Sequence, residues 1–83
     1  MKYYWVLSNG RLSREDNTVH FTDSDGAESV IPIDSIECLH LYGEVDLNTK
    51  VLNFIAQKGV TVHLFNYYGY YSGSWYPRES PMA

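Results

Sequence analysis

Cysteine, proline and basic residues are the scarce components of this chain, with one, three and six of each among 83 residues, and each scarcity excludes something. Cys38 has no partner, so a disulfide framework cannot stand in for a core. Its place in the apolar run IECLHLY also suppresses thiol reactivity. No hydrophobic run reaches the length of a membrane span, and the opening MKYYWVLSNG is too short an apolar patch for a signal peptide. The expectation is a soluble cytoplasmic protein. Catalytic spacings are missing as well. Gly69 and Gly73 are not followed by Gly-Lys-Ser/Thr and a helix, so no phosphate loop forms. No serine sits in Gly-x-Ser-x-Gly. His20, His40 and His63 fall on separate segments without His-x-x-x-His or Cys-x-x-Cys spacing, and read as strand residues rather than metal ligands.

What remains is ample apolar and aromatic material. Apolar residues make up 45% of the chain and aromatics 16%, with eight tyrosines. That suffices for a core without staples, although a chain of this size buries only about 60% of its unfolded surface. The reading is one small globular domain, 1–83. Net charge is −4 and unevenly spread: no acid precedes residue 15, and nine acids with no base fill 15–46. A duplex would be repelled by the middle third and tolerated by the ends. The plainer reading of the acidic block is a solvated surface that aids solubility.

Tyr3 to Leu7 reads as a strand, and Ser8-Asn9-Gly10 after it predicts a hairpin leading directly into a second strand near Arg11 to Arg14. Thr18 to Thr22 alternates with Val19 and Phe21 inward, and Asp23-Ser24-Asp25-Gly26 makes a turn before an edge strand from Glu28 to Ile33. Ile36 to Tyr42 is apolar on both pleated faces, which predicts a central strand covered on both sides. Asp46 or Asn48 then caps a helix whose Leu47, Val51, Phe54 and Ile55 form one stripe, and Gly59 ends it. Val60 to Asn66 returns parallel to the central strand. The prediction is a mainly β, α+β domain of roughly six to eight short strands with one crossover helix.

Two features invite a functional reading. Glu44 and Asp46 stand two residues apart ahead of the helix, a pair that could hold a divalent ion with a third ligand; helix capping by Asp46 explains it more simply. Tyr67, Tyr68, Tyr70, Tyr71, Trp75 and Tyr76 crowd into a last ribbon ending at Pro77. Alternation sets Tyr68 and Tyr70 on one face and Tyr67 and Tyr71 on the other, so a ribbon alone cannot bury both sets. They could form a protein interface, cap a thin core, or stack on bases with help from Arg78.

The opening YYWVLSNGRLSREDNTVHF, the VIPID turn, Gly-Glu-Val-Asp-Leu-Asn, the helix NTKVLNFIAQKG and VTVHLFNYYGYYSGSWYPRE together resemble the CRISPR adaptation integrase family, over residues 3 to 79. The resemblance is to its N-terminal β-rich domain. It implies an endonuclease and integrase whose helical C-terminal domain, beyond residue 83, supplies Glu, His and Asp to bind Mg or Mn. None of those ligands maps onto this chain, and Glu44 and His63 are not substitutes. The resemblance further implies a homodimer that positions double-stranded DNA, with a small second subunit bridging two dimers. Some members carry an aromatic wedge at the first turn, which here reads Ser8-Asn9-Gly10. Asn9, Arg11 and Arg14 are therefore the candidate DNA contacts. The alternative is a stand-alone β module gripping a protein partner through the tyrosine ribbon.

Overall fold

A computed structural model describes residues 2–77. Its eight strands and one helix are β1 (Tyr3–Val6), β2 (Gly10–Glu15), β3 (Thr18–Asp23), β4 (Glu28–Ile31), β5 (Cys38–Leu41), β6 (Val45–Asp46), α1 (Thr49–Gln57), β7 (Thr61–Phe65) and β8 (Tyr71–Trp75). They form two four-stranded sheets, ordered β1-β5-β7-β8 and β4-β3-β2-β6. The β-rich domain with one helix is thus as expected.

The first connection is not. Strand β1 pairs parallel with β5, in register Trp5 with His40, while β2 belongs to the other sheet and pairs antiparallel with β3. Asn9-Gly10 is therefore a passage between sheets, not a hairpin turn. A two-residue primed turn needs positive φ at its first central residue, and in type I′ at both, and neither Asn9 nor Gly10 has it. The hairpin lies one strand later, at Asp16-Asn17, where Asp16 takes φ 54° and its carbonyl accepts from Arg14 Nε at 2.7 Å.

The core fills the space between the sheets. Val6, Leu39, Leu41 and Val62 come from the first sheet and Leu12, Val19, Phe21 and Ile31 from the second, with Val51, Phe54 and Ile55 of α1. Alternation explains the split, since these are the inward members of each strand. The helix begins at Asn48, whose Oδ1 accepts from Val51 N at 3.0 Å; Asp46 lies in β6 and caps nothing. Gly59, at φ 76°, ends the helix in the left-handed conformation expected of it. The crossover places β7 parallel beside β5, as predicted. The edge strand also holds, though β4 stops at Ile31, because Pro32 has no N–H to continue a ladder.

Strand β5 is central, yet only its Leu39 and Leu41 face is buried in the core. The other face, with Cys38 and His40, is half-buried under aromatic side chains of its own sheet rather than under a second layer.

Candidate functional site

The connector Leu7 to Asn9 crosses the connector at Gly43 and Glu44. Asn9 Oδ1 accepts from Glu44 N at 2.8 Å, Gly10 N donates to Glu44 O at 3.1 Å, and Ser24 N donates to Asn9 O at 3.1 Å. The Asn9 side chain is thereby engaged by Glu44, and the backbone of Asn9 and Gly10 ties the connector to the segments at Ser24 and Glu44. Gly43 permits the crossing, because a Cβ there would run into the Ser8 carbonyl and lie 2.9 Å from Asn9 N.

Arg11 and Arg14 leave β2 on opposite faces. Arg14 points to the core side, where its guanidinium carbon sits 4.2 Å from the centre of the Phe54 ring. Arg11 is exposed and makes no ion pair among the described residues. Its neighbours are acidic, however. Strand β6 runs parallel to β2 and sets Asp46 opposite Arg11, and an open depression of about 460 Å³ beside it is lined by Asp23, Glu44 and Asp46 as well as Asn9. The acid-free stretch of sequence is not an acid-free surface. The two arginines thus do not share one face.

The tyrosine ribbon is also divided. Tyr67, Tyr68 and Tyr70 belong to a turn closed by Asn66, whose Oδ1 accepts from the N–H groups of Tyr68 and Tyr70 at 2.9 and 3.0 Å. They are exposed. In β8 a register shift opposite Leu64 and Phe65 reverses the alternation, so Tyr71 faces outward near Phe65 while Trp75 turns inward and donates from Nε1 to Leu52 O at 3.1 Å. The simple alternation expected of Tyr67, Tyr68, Tyr70 and Tyr71 fails because the first three lie in the Asn66 turn and not in a strand. Arg78 lies outside the described residues.

Sequence reasoning missed the larger surface to which Tyr71 belongs. Across the outer face of the first sheet, Trp5 stacks on His40 with ring centres 4.1 Å apart, and Tyr42 on Phe65 at 4.1 Å. His63 lies 5.1 Å from His40 and 6.4 Å from Tyr76, edge to face. Trp5 remains 51% exposed and Tyr3 53%, so the face presents large aromatic side chains to solvent. The signal was present as period-two spacing in three segments, but only parallel pairing of β1, β5 and β7 joins them. Burial, and then neighbouring His63, holds the His40 imidazole below its ordinary value, and His40 Nδ1 has no hydrogen-bond partner.

Glu44 and Asp46 do not gather a third ligand. Among the described residues one group of three carboxylate and imidazole donors comes together, Glu15, His20 and Glu28 on the outer face of the second sheet. Neither glutamate was singled out by spacing, since each comes from a different strand. No described helix is long and apolar enough to cross a membrane.

Residues 4–83 match the family described as CRISPR associated protein Cas1. The chain belongs to that family. A CRISPR-associated endonuclease Cas1 from Thermodesulfovibrio yellowstonii is 53% identical over all of this chain, which covers 26% of that relative. The solved structure of TM1797, a Cas1 protein from Thermotoga maritima, is 39% identical with a TM-score of 0.87, over 95% of this chain and 25% of its own length. A TtCas1–DNA complex shares the fold alone, at 16% identity and a TM-score of 0.74, over 89% of this chain and 28% of that one. This Cas1-family chain therefore spans about a quarter of the relatives it matches.

Proposed function

We propose that this chain is the N-terminal dimerisation and DNA-positioning domain of a metal-dependent DNA endonuclease and integrase that inserts new spacers into a CRISPR array in antiviral defence. The observation that carries the reading is a family match over residues 4–83 in a chain a quarter as long as its relatives. The chemistry is assigned to a helical C-terminal domain, whose Glu, His and Asp would hold Mg or Mn and stabilise the charge that develops as DNA is joined. This chain alone is expected to be inactive. A cytoplasmic location accords with the role.

Double-stranded DNA is the partner supported by the fold shared with a Cas1 protein solved with DNA. Within the reading, Arg11 is the phosphate contact, and Asn9 holds the connector that carries it. Arg14 steadies the helix through Phe54. The aromatic face around Trp5 and His40, with Tyr67, Tyr68, Tyr70, Tyr71 and Tyr76 beside it, supports a second copy of the chain as partner, and the small second adaptation subunit as another. The same exposed face favours the alternative, a self-contained module that binds a different protein.

The test is a DNA-joining assay with Mg or Mn. A protein carrying both this chain and the C-terminal domain should join ends, and the 83-residue chain should not. A two-domain protein that joins nothing would overturn the enzymatic reading. Light scattering tests the interface: the chain should be a dimer and Trp5→Glu a monomer. A native monomer at high concentration would favour the alternative.

A further inference from the structure

The outer face of the second sheet gathers a histidine and two glutamates from three strands. Glu15 closes β2, His20 lies in β3 and Glu28 opens β4. Ser13 pairs with His20, and Val30 pairs with His20 from the other side, so Glu15 and Glu28 are its diagonal neighbours on one face. His20 Nδ1 stands 2.6 Å from Glu28 Oε1 and 3.5 Å from Glu15 Oε2. The imidazole is largely covered, at 19% side-chain exposure, while the carboxylates reach it from solvent.

A fourth residue sets the ring's orientation. Thr18 Oγ1 donates to Glu15 O at 2.7 Å, which leaves it only lone pairs toward His20 Nε2 at 2.9 Å. Nε2 must therefore carry the hydrogen and donate. In the neutral ring Nδ1 is then an unprotonated lone pair aimed at two carboxylates, an arrangement that repels unless Nδ1 carries a second hydrogen, given to Glu28 Oε1, or a metal ion stands among the three donors. A proton on Nδ1 serves Glu28 alone, because one N–H has one direction; a metal ion serves all three.

We propose that Glu15, His20 and Glu28 bind a divalent transition-metal ion of the zinc type. Imidazole with two carboxylates suits Zn(II) rather than Mg(II), which prefers an all-oxygen shell. Thr18 is the outer hydrogen-bond partner that metal-ligating histidines ordinarily have, here fixing the tautomer that offers Nδ1. The ion would tie the β2–β3 hairpin to edge strand β4, a strand otherwise held on one side only. The proposal rests on this sheet and stands apart from the DNA-positioning role.

Titration of Zn(II) into the metal-free 83-residue chain tests it, with Co(II) as a visible-absorption probe. One equivalent should bind saturably and raise the thermal midpoint. His20→Ala and Glu28→Gln should each weaken binding by about a hundredfold or more, and Thr18→Val by about tenfold, the range that loss of an orienting partner spans. Glu28→Gln is nearly isosteric, so it separates ligand loss from misfolding. Nitrogen NMR should find hydrogen on His20 Nε2 and a Zn-dependent shift at Nδ1. Absence of saturable binding, binding unchanged in both His20→Ala and Glu28→Gln, or hydrogen on Nδ1 with no response to Zn would overturn the proposal.

Discussion

Replacing Gly10 by Ala should be among the most damaging single-methyl changes in this domain. A Cβ at that position would run into the carbonyl oxygen of Thr22 and lie 2.8 Å from both Asp23 Cα and the Phe21 ring. Two of those obstacles are backbone of the paired strand β3, so no rotamer change relieves them. The strand must move, and with it the Gly10 N–H bond to Glu44 O. Overpacking costs about 1–3 kcal/mol and a lost hydrogen bond about 1, so roughly 3 kcal/mol is expected. In a small domain that is a drop of roughly 12–24 °C in the thermal midpoint. Urea unfolding followed by Trp5 and Trp75 fluorescence reads the loss directly. Gly26→Ala is the comparison: φ is 88° there, but a Cβ would meet nothing, and the strain costs about 1 kcal/mol. The reasoning fails if Gly10→Ala destabilises no more than Gly26→Ala, because Gly10 would then not be the point where two strands close on each other.

Asn48→Ala should cost about 1 kcal/mol through loss of the helix cap, with Asp46→Ala smaller; the reverse order in urea titrations would contradict the assigned cap. Arg11→Ala in the DNA-joining protein should lower duplex affinity and flatten the salt dependence by about 0.9 log units per log unit of salt, whereas Arg14→Ala should lower stability without altering that slope. Equal slope changes for both would show that they touch DNA together despite their opposite faces. His40 is held below the ordinary 6.5, first by burial and then by His63. The unfolded chain therefore takes up that proton first as pH falls, so this contribution to stability is complete above 6.5 and is lost below it, through the folded ring's lower value. Besides His63, Tyr3 is a titratable group packed against that ring, edge to face at 5.9 Å. Replacing His40 by Gln should reduce the loss of stability between about pH 7.5 and 5.5, a range that brackets an ordinary histidine; an undiminished loss would contradict the assignment.

Local periodicity and cap chemistry carried much of this fold in the primary sequence. Val19 and Phe21, Leu39 and Leu41, and the Val51, Phe54 and Ile55 stripe were legible as core because burial follows a period of two or 3.6 within one element. Gly59 was legible because a helix end needs a left-handed residue, whereas the cap was narrowed only to Asp46 or Asn48, since either side chain can accept from a first-turn N–H and the strand pairing of Asp46 decides between them. The family was legible too, since order and spacing of segments survive without any knowledge of contacts.

Tertiary structure alone decided where the segments met. Asn9-Gly10 has the composition of a tight turn, but the parallel pairing of β1 with β5 outweighs it, and the glycine serves close approach to β3 instead of positive φ. Arg11 looked free of acids until β6 brought Asp46 alongside, since screened charges act through space and not along the chain. Tyr71 and Trp75 part company because one bulge shifts the phase of β8. The aromatic face around His40 and the cluster around His20 have the same origin: each is assembled from residues that lie far apart in sequence, and only the strand register makes them neighbours.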